Sequence, residues 1–149
     1  MSPLTIRTAV EADLPGITAL LADDPLGKER EHPGDPAYGQ AFHRMLGQPG
    51  NVYLLAEREA RLLGALQYTL IHGLSRRGAS RAQIEGVRVA AEARGRGIGE
   101  ALVEAAIARA RADGAALIQL TTDQTRDRAL RFYERLGFEA SHWGMKRPL

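Results

Sequence analysis

Blocks of alternating and helically spaced hydrophobic positions divide the chain into a succession of predicted strands and helices. Leu4 to Val10 alternates and predicts a first strand, followed by a helix from Glu11 to Ala22 with Asp13 and Pro15 in its first turn. Asp23 to Pro36 carries prolines and glycines and breaks the pattern. Tyr38, Phe42 and Met45 then recur at helical spacing, predicting a helix from Pro36 to Leu46 that Gly47, Pro49 and Gly50 end. Asn51 to Glu57 and Leu62 to Ile71 read as an antiparallel hairpin, and Gly73 to Ser80 as a basic loop. Arg81 to Val89 is a further strand. Gly97 to Ala112 is a helix whose Ile98, Leu102, Val103, Ala106, Ile107 and Ala110 form one apolar face, with Glu100, Glu104 and Arg111 opposite. Ala115 to Thr121 predicts a strand and Asp127 to Leu136 a helix, in which Ala129, Phe132, Tyr133 and Leu136 share a face. Phe138 to Lys146 predicts a last strand. Hairpin strands followed by a βαβ crossover imply a single α/β domain over residues 1–149. Its sheet is mixed and mostly antiparallel, with helices on its faces and a right-handed connection.

Composition narrows the chemistry open to such a domain. The 149 residues contain no cysteine, which excludes disulfides, thiolate zinc sites, iron–sulfur clusters and a cysteine nucleophile. His32, His43, His72 and His142 form no pair at helical spacing and no carboxylate-spaced cluster, so no metal is expected. No apolar run approaches the ~18 residues of a membrane span, and the N-terminus lacks the basic-then-apolar pattern of a signal peptide. A cytoplasmic protein without a membrane partner is the expectation. Of the 20 basic residues only Lys28 and Lys146 are lysine and the other 18 are arginine, yet the formal net charge is only +2. Number alone does not imply a nucleic-acid partner, because that requires the arginines to be gathered on one face.

The segment from Val87 to Glu100 carries the most specific signal. A strand passes through a short turn into a helix, and Gly95, Gly97 and Gly99 remove every other Cβ there. Backbone amides can then approach an anion closely, the helix N-terminus adds unpaired donors and about half a positive charge, and Arg94 and Arg96 add whole charges. A pyrophosphate suits such a site. The spacing is neither that of a P-loop nor the G-x-G-x-x-G of dinucleotide binders.

Arg94-Gly95-Arg96-Gly97-Ile98-Gly99 resembles the R/Q-x-x-G-x-G/A acyl-CoA loop of the GNAT acetyltransferase superfamily. A second motif, from Arg126 to Phe138 with Phe132-Tyr133 followed by Gly137-Phe138, is similar to that family's later helix. The two motifs stand in the family's order, and the predicted elements match its topology over nearly the whole chain. Many members carry Asn near the start of the later helix, where this chain has Arg126 and Asp127, so either could take over its cofactor contact.

The resemblance implies an acyl-CoA-dependent N-acetyltransferase that moves the acetyl group of acetyl-CoA to a primary amine. The pantetheine would lie along Val87, Arg88 and Val89 and the pyrophosphate on Gly95 to Gly99 with Arg94 and Arg96 around it, Ile98, Arg126 and Tyr133 being further cofactor contacts. It also implies a splay between the strand bearing the loop and the next one, and Gly86 fits a bulge at that point. Tyr133 is the implied proton donor to the departing thiolate. Glu85, two residues before Val87, is the implied base, with His72, His142 or a water chain as alternatives. Because the chain has no cysteine, transfer would be direct rather than through a cysteinyl thioester. A catalytically silent acyl-CoA-binding or sensor module is the alternative. Substrate choice is expected in Asp23 to Gly50 and Gly73 to Ser80, the acceptor being a small molecule or a peptide, with a homodimer as the family's frequent state.

Overall fold

The computed structural model describes residues 2–149. A five-stranded sheet runs in the order β1 (Thr5–Thr8), β2 (Asn51–Arg58), β3 (Arg61–Ile71), β4 (Arg81–Val89) and β5 (Leu117–Gln119), antiparallel except between β4 and β5. This is the mixed sheet expected. The helices are α1 (Leu14–Ala22), α2 (Gly27–Arg30), α3 (Ala37–Leu46), a single turn α4 (Ser75–Gly78), α5 (Ile98–Ala112) and α6 (Asp127–Arg135), with 3-10 turns at Glu11–Asp13 and Ala91–Ala93.

α5 packs on one face of the sheet, burying Ile98, Leu102, Val103, Ala106 and Ala110, the apolar stripe read from the sequence. Removing such side chains from water stabilises by about 1.5–3 kcal/mol for each large one. Close approach is possible because Gly64 on β3 has no side chain: a Cβ there would stand 2.9 Å from Leu102 Cδ1. Tyr68, wholly buried, anchors the far end of α5 through its hydroxyl, which donates to Asp113 at 2.8 Å, and through Arg109 over its ring at 5.4 Å. α1 and α3 cover the opposite face, with Ile17, Leu20 and Phe42 buried.

Several boundaries differ from the sequence reading. The segment 138–146 forms no strand: residues 139–149 are exposed and irregular, and Trp143 and Met145 are 88% and 93% exposed. Its alternation is real, but a strand also needs a partner, and the sheet edge on the side of Gly144, which comes close to Thr121, is the three-residue β5. β5 itself is shorter than Ala115 to Thr121 because β4 diverges from it. The first helix starts at Leu14, after a 3-10 turn over Glu11–Asp13, and the break after it contains the short α2. Within the basic loop Arg76 and Arg77 are left-handed (φ 55° and 63°), so α4 is not a right-handed helical turn.

Candidate active site

The sheet opens where chemistry is expected. β4 and β5 pair only at Arg81, Ala82 and Gln83 against Leu117, Ile118 and Gln119, after which β4 runs on to Val89 paired with β3 alone, its other edge open. The predicted splay is therefore present. Just past the fork β4 bulges: Ala65 pairs with Arg88 and Gln67 with Glu85, so Leu66 alone faces both Gly86 and Val87. Gly86 has φ +59°, and a Cβ there would meet Leu21 and the Tyr53 hydroxyl at an ordinary 3.5 Å. Backbone handedness, not crowding, selects glycine at the bulge.

A cleft of about 640 Å³ fills the opening, bounded by Val87, Arg88 and Val89 of β4, by Arg94, by the start of α6 from Thr125 to Arg131, and by Asp24 and Pro25 after α1. Arg88, Arg94, Arg126, Arg128 and Arg131 line it against two acids, Asp24 and Asp127, so it is strongly cationic. Two carbonyls near the end of β4 are taken by arginine side chains: Arg88 Nη1 donates to the Val87 carbonyl at 3.0 Å and Arg94 Nε to that of Val89 at 3.2 Å.

Beyond Arg94 the chain reaches the glycine loop. Gly95 and Gly97 have φ +74° and +77°, and a Cβ at either would meet nothing within 4 Å. These two glycines give the turn its handedness and leave the space above it open. The first bond of α5 runs from the Ala101 amide to the Gly97 carbonyl at 3.0 Å, so the amides of Ile98, Gly99 and Glu100 emerge from the helix N-terminus without acceptors inside it. Gly99 serves packing, since its Cβ would lie 3.3 Å from the Phe132 ring. The Ile98 side chain is in the core, leaving only its amide for a ligand. Arg94 lines the cleft, whereas Arg96 borders a separate hollow of about 170 Å³ with Arg61 and Glu92.

Tyr133 sits on α6 one turn after Ala129, which lines the cleft, with its ring edge-on to Phe132 (5.0 Å) and Phe138 (5.7 Å). Burial pushes its phenol above the usual tyrosine range, while the charges of Arg88 and Arg126 pull back. The apolar face of α6 does turn to the core, but none of its residues is fully buried, because the cleft runs beside it. Glu85 is exposed immediately before the bulge and accepts from Gln83 Nε2 at 2.5 Å, and Gln83 in turn accepts from Gln119 Nε2 at 2.9 Å. The fork is thus tied to Glu85 by two amides. His72 and His142 are exposed and hydrogen-bonded to Ser80 and Ser141, and neither they nor Glu85 nor Tyr133 border the cleft directly.

Sequence reasoning placed Asp24 only among the acids of the substrate-facing segment Asp23 to Gly50 and missed its pairing across the cleft. Asp24 follows α1, its side chain is 9% exposed, and it accepts from Arg126 Nη2 at 2.6 Å with Arg88 Nη2 at 3.5 Å. Burial opposes its charge, but the Gly27 amide and these arginines hold its carboxyl below the usual range. Arg126, the position at issue against the family pattern, therefore spans the cleft to Asp24. Nothing local marks a pair separated by 102 residues. Tyr53 was missed as well. It lies on the same sheet face as Gln67 and Glu85 by register, with its hydroxyl next to Gly86 and its phenol pushed up to about 12 by burial. Strand alternation from Asn51 could have placed it there. Among the described residues no cluster of potential ligands fit for a metal ion is present, and no helix is long and apolar enough to cross a membrane.

The sequence model of the acetyltransferase (GNAT) family matches residues 14–138. No curated protein matches the chain. Among solved structures, a transcriptional regulator from Bacillus halodurans C-125 is 46% identical, with 99% of this chain and 100% of that one covered and a TM-score of 0.94. An acetyltransferase from Trypanosoma brucei is 26% identical, with 99% and 100% covered and a TM-score of 0.82. Glucosamine-6-phosphate N-acetyltransferase from Arabidopsis thaliana, at 19% identity, 98% coverage of both chains and a TM-score of 0.79, shares the fold.

Proposed function

Since the chain belongs to the GNAT acetyltransferase family, we propose that it moves the acetyl group of acetyl-CoA directly to a primary amine within a ternary complex. The observation that carries this reading is the cationic cleft opened by the β4–β5 fork, with the bulge at one end and the glycine loop at the other. The residues present fit the co-substrate. Gly95 and Gly97 leave open space beside the free amides of α5, matching a pyrophosphate, and the edge of β4 that β5 leaves open past Gln83 offers main-chain groups to the pantetheine amides. Acetyl-CoA supplies an acyl group already activated as a thioester.

The protein's task is then to manage two protons. An alkylammonium with a pKa near 10.4 is only about 1 part in 2,500 free at pH 7, so the amine needs a base. Glu85 fills that role through water, its carboxylate hydrogen-bonded by Gln83. Tyr133 faces the departing thiolate. Its raised phenol stays protonated at neutral pH, but it is a weaker acid than a thiol of pKa ~8.5, so complete transfer is uphill. Tyr133 therefore acts chiefly as a hydrogen-bond donor to the developing thiolate, with the proton released by the amine completing the balance. The Val89 region of β4 supplies amides that polarise the thioester carbonyl.

Isothermal titration with acetyl-CoA, followed by a CoA-release screen across amine classes, tests the reading. Micromolar binding and turnover with at least one amine are expected. No binding up to millimolar acetyl-CoA by folded protein would overturn it, and binding without turnover of any amine would leave a silent acyl-CoA module. Although the Bacillus halodurans relative is described as a transcriptional regulator, the reading includes no nucleic-acid partner, because the arginines that gather on one surface do so inside the cleft. A DNA mobility shift that persists at about 200 mM salt would contradict this.

A further inference from the structure

Arg88 is a largely buried cation whose neighbours do not balance its charge. Its side chain is 12% exposed, Nη1 donates to the neutral Val87 carbonyl at 3.0 Å, and Nε is buried with no partner. The nearest carboxylate oxygen, Asp24 Oδ2, is 3.5 Å from Nη2 and already occupied: Arg126 Nη2 approaches it to 2.6 Å, the Gly27 amide to 3.1 Å and the Leu26 amide to 3.2 Å. Arg126 thus compensates the Asp24 charge, and Arg88 is left with what remains. A desolvated charge without its own counter-ion costs stability, and the deficit is removed when a ligand supplies the opposite charge. The phosphates of acetyl-CoA do not meet this need in the reading above, because their cradle is the glycine loop and the N-terminus of α5, beyond the end of β4. Arg88 instead stands on β4 two residues past Gly86, beside the place where the amine would attack. It lines the cleft and its charge reaches both phenols of the reaction end, Tyr53 and Tyr133. Arg30 adds positive potential from the neighbouring α2.

We propose that the acceptor is an amine carrying an anionic group a few bonds from its nitrogen, a carboxylate or a phosphate, and that Arg88 is the specificity residue that holds that group. The planar fork of a guanidinium suits either oxyanion. The proposal rests on the acetyl-transfer reading and sharpens it from any amine to an amino-acid-like or aminoalkyl-phosphate-like one.

The test measures initial rates with acetyl-CoA for two pairs, glycine against glycinamide and 2-aminoethylphosphonate against ethanolamine, each rate corrected to the free-amine fraction of its substrate. Wild type, Arg88→Gln and Arg88→Lys are compared, with folding checked by circular dichroism. In wild type the anionic member of at least one pair is expected to exceed its neutral partner in kcat/KM by about tenfold or more. Arg88→Gln should bring that ratio close to one, and Arg88→Lys should restore part of it. The pair that responds distinguishes carboxylate from phosphate. A second measurement does not need turnover: with CoA saturating, acetate or inorganic phosphate should raise the thermal midpoint of wild type and leave Arg88→Gln unmoved. Neutral amines turned over as well as their anionic partners, or a ratio and an anion-dependent shift that survive Arg88→Gln, would overturn the assignment. If calorimetry shows no acetyl-CoA binding, the acetyl-transfer reading fails and takes this one with it. If acetyl-CoA binds and both readouts are flat, only the role of Arg88 fails.

Discussion

Tyr133 is held by two edge-on aromatic contacts that a phenylalanine would keep, so Tyr133→Phe separates chemistry from packing. The expected result is a fall in kcat of about 10–100-fold, below the ceiling for general acids because net proton transfer from this phenol is uphill. Acetyl-CoA affinity should change by less than about twofold. Steady-state kinetics with calorimetry on the same preparation check both, and an unchanged kcat would remove Tyr133 from the reaction. The glycines make a second contrast. Gly97→Ala and Gly64→Ala add the same methyl group to different environments. At Gly97 it enters open space but a left-handed backbone, costing about 1–2 kcal/mol, and it projects over the loop. At Gly64 it meets the Arg88 carbonyl and Leu102 at 2.9 Å, an overpacking cost of about 1–3 kcal/mol. Urea denaturation should show both variants destabilised. Acetyl-CoA binding should be lost mainly in Gly97→Ala, and equal loss in both would make the loop glycine a structural one only.

At the level of elements, the corner between β1 and α1 depends on one arginine. Arg7 donates to both oxygens of Asp13 at 2.8 Å each and to Glu57 of β2 at 3.0 Å, and Asp13 also accepts from the Val10 amide at 2.8 Å. The Arg7 hydrogen bonds hold the Asp13 carboxyl below its ordinary value of 3.8. A depressed carboxylate contributes stability that is present above its unfolded pKa and lost as pH falls through the folded one. Asp13→Asn should therefore cost about 1–3 kcal/mol at pH 7 and progressively less below pH 4, measured by urea denaturation at the two pH values. A constant difference would mean that shape rather than charge matters at this corner. This network also shows why elements were more legible than their assembly. The stripes of α3 and α5 and the alternation of β2 to β4 are periodic within one element, and the structure has them where periodicity placed them. The glycine loop and the bulge were legible too, because glycine at Gly86, Gly95 and Gly97 reports a backbone need. The short α2 was hidden in a segment dense with breakers, and residues 138–146 have a strand's alternation without a strand's partner. Asp24 facing Arg88 and Arg126, and Tyr53 reaching Gly86, depend on tertiary contacts that no local spacing encodes.

For the whole molecule, the arginine excess resolves into a distribution. The formal charge is +2, yet five arginines and only two acids line a single cleft, and several other arginines are paired with acids, as Arg7 is with Asp13 and Glu57 and Arg61 with Glu92. A nearly neutral chain thus carries a concentrated positive field at one opening. Such a field acts on a polyanion before contact, raising its encounter rate, and salt screens it over a Debye length of ~10 Å at 0.1 M. Short-range hydrogen bonds formed after docking are screened much less. Stopped-flow measurement of CoA association between about 50 and 500 mM NaCl should therefore show the on-rate falling several-fold while the off-rate rises less. Arg128→Gln and Arg131→Gln, which remove cleft charge from the exposed side of α6 without touching the glycine loop, should flatten that dependence and leave the high-salt off-rate close to wild type. If association proves insensitive to salt, or if the two substitutions act only on the off-rate, the arginines of α6 contact the co-substrate individually rather than steering it as a field.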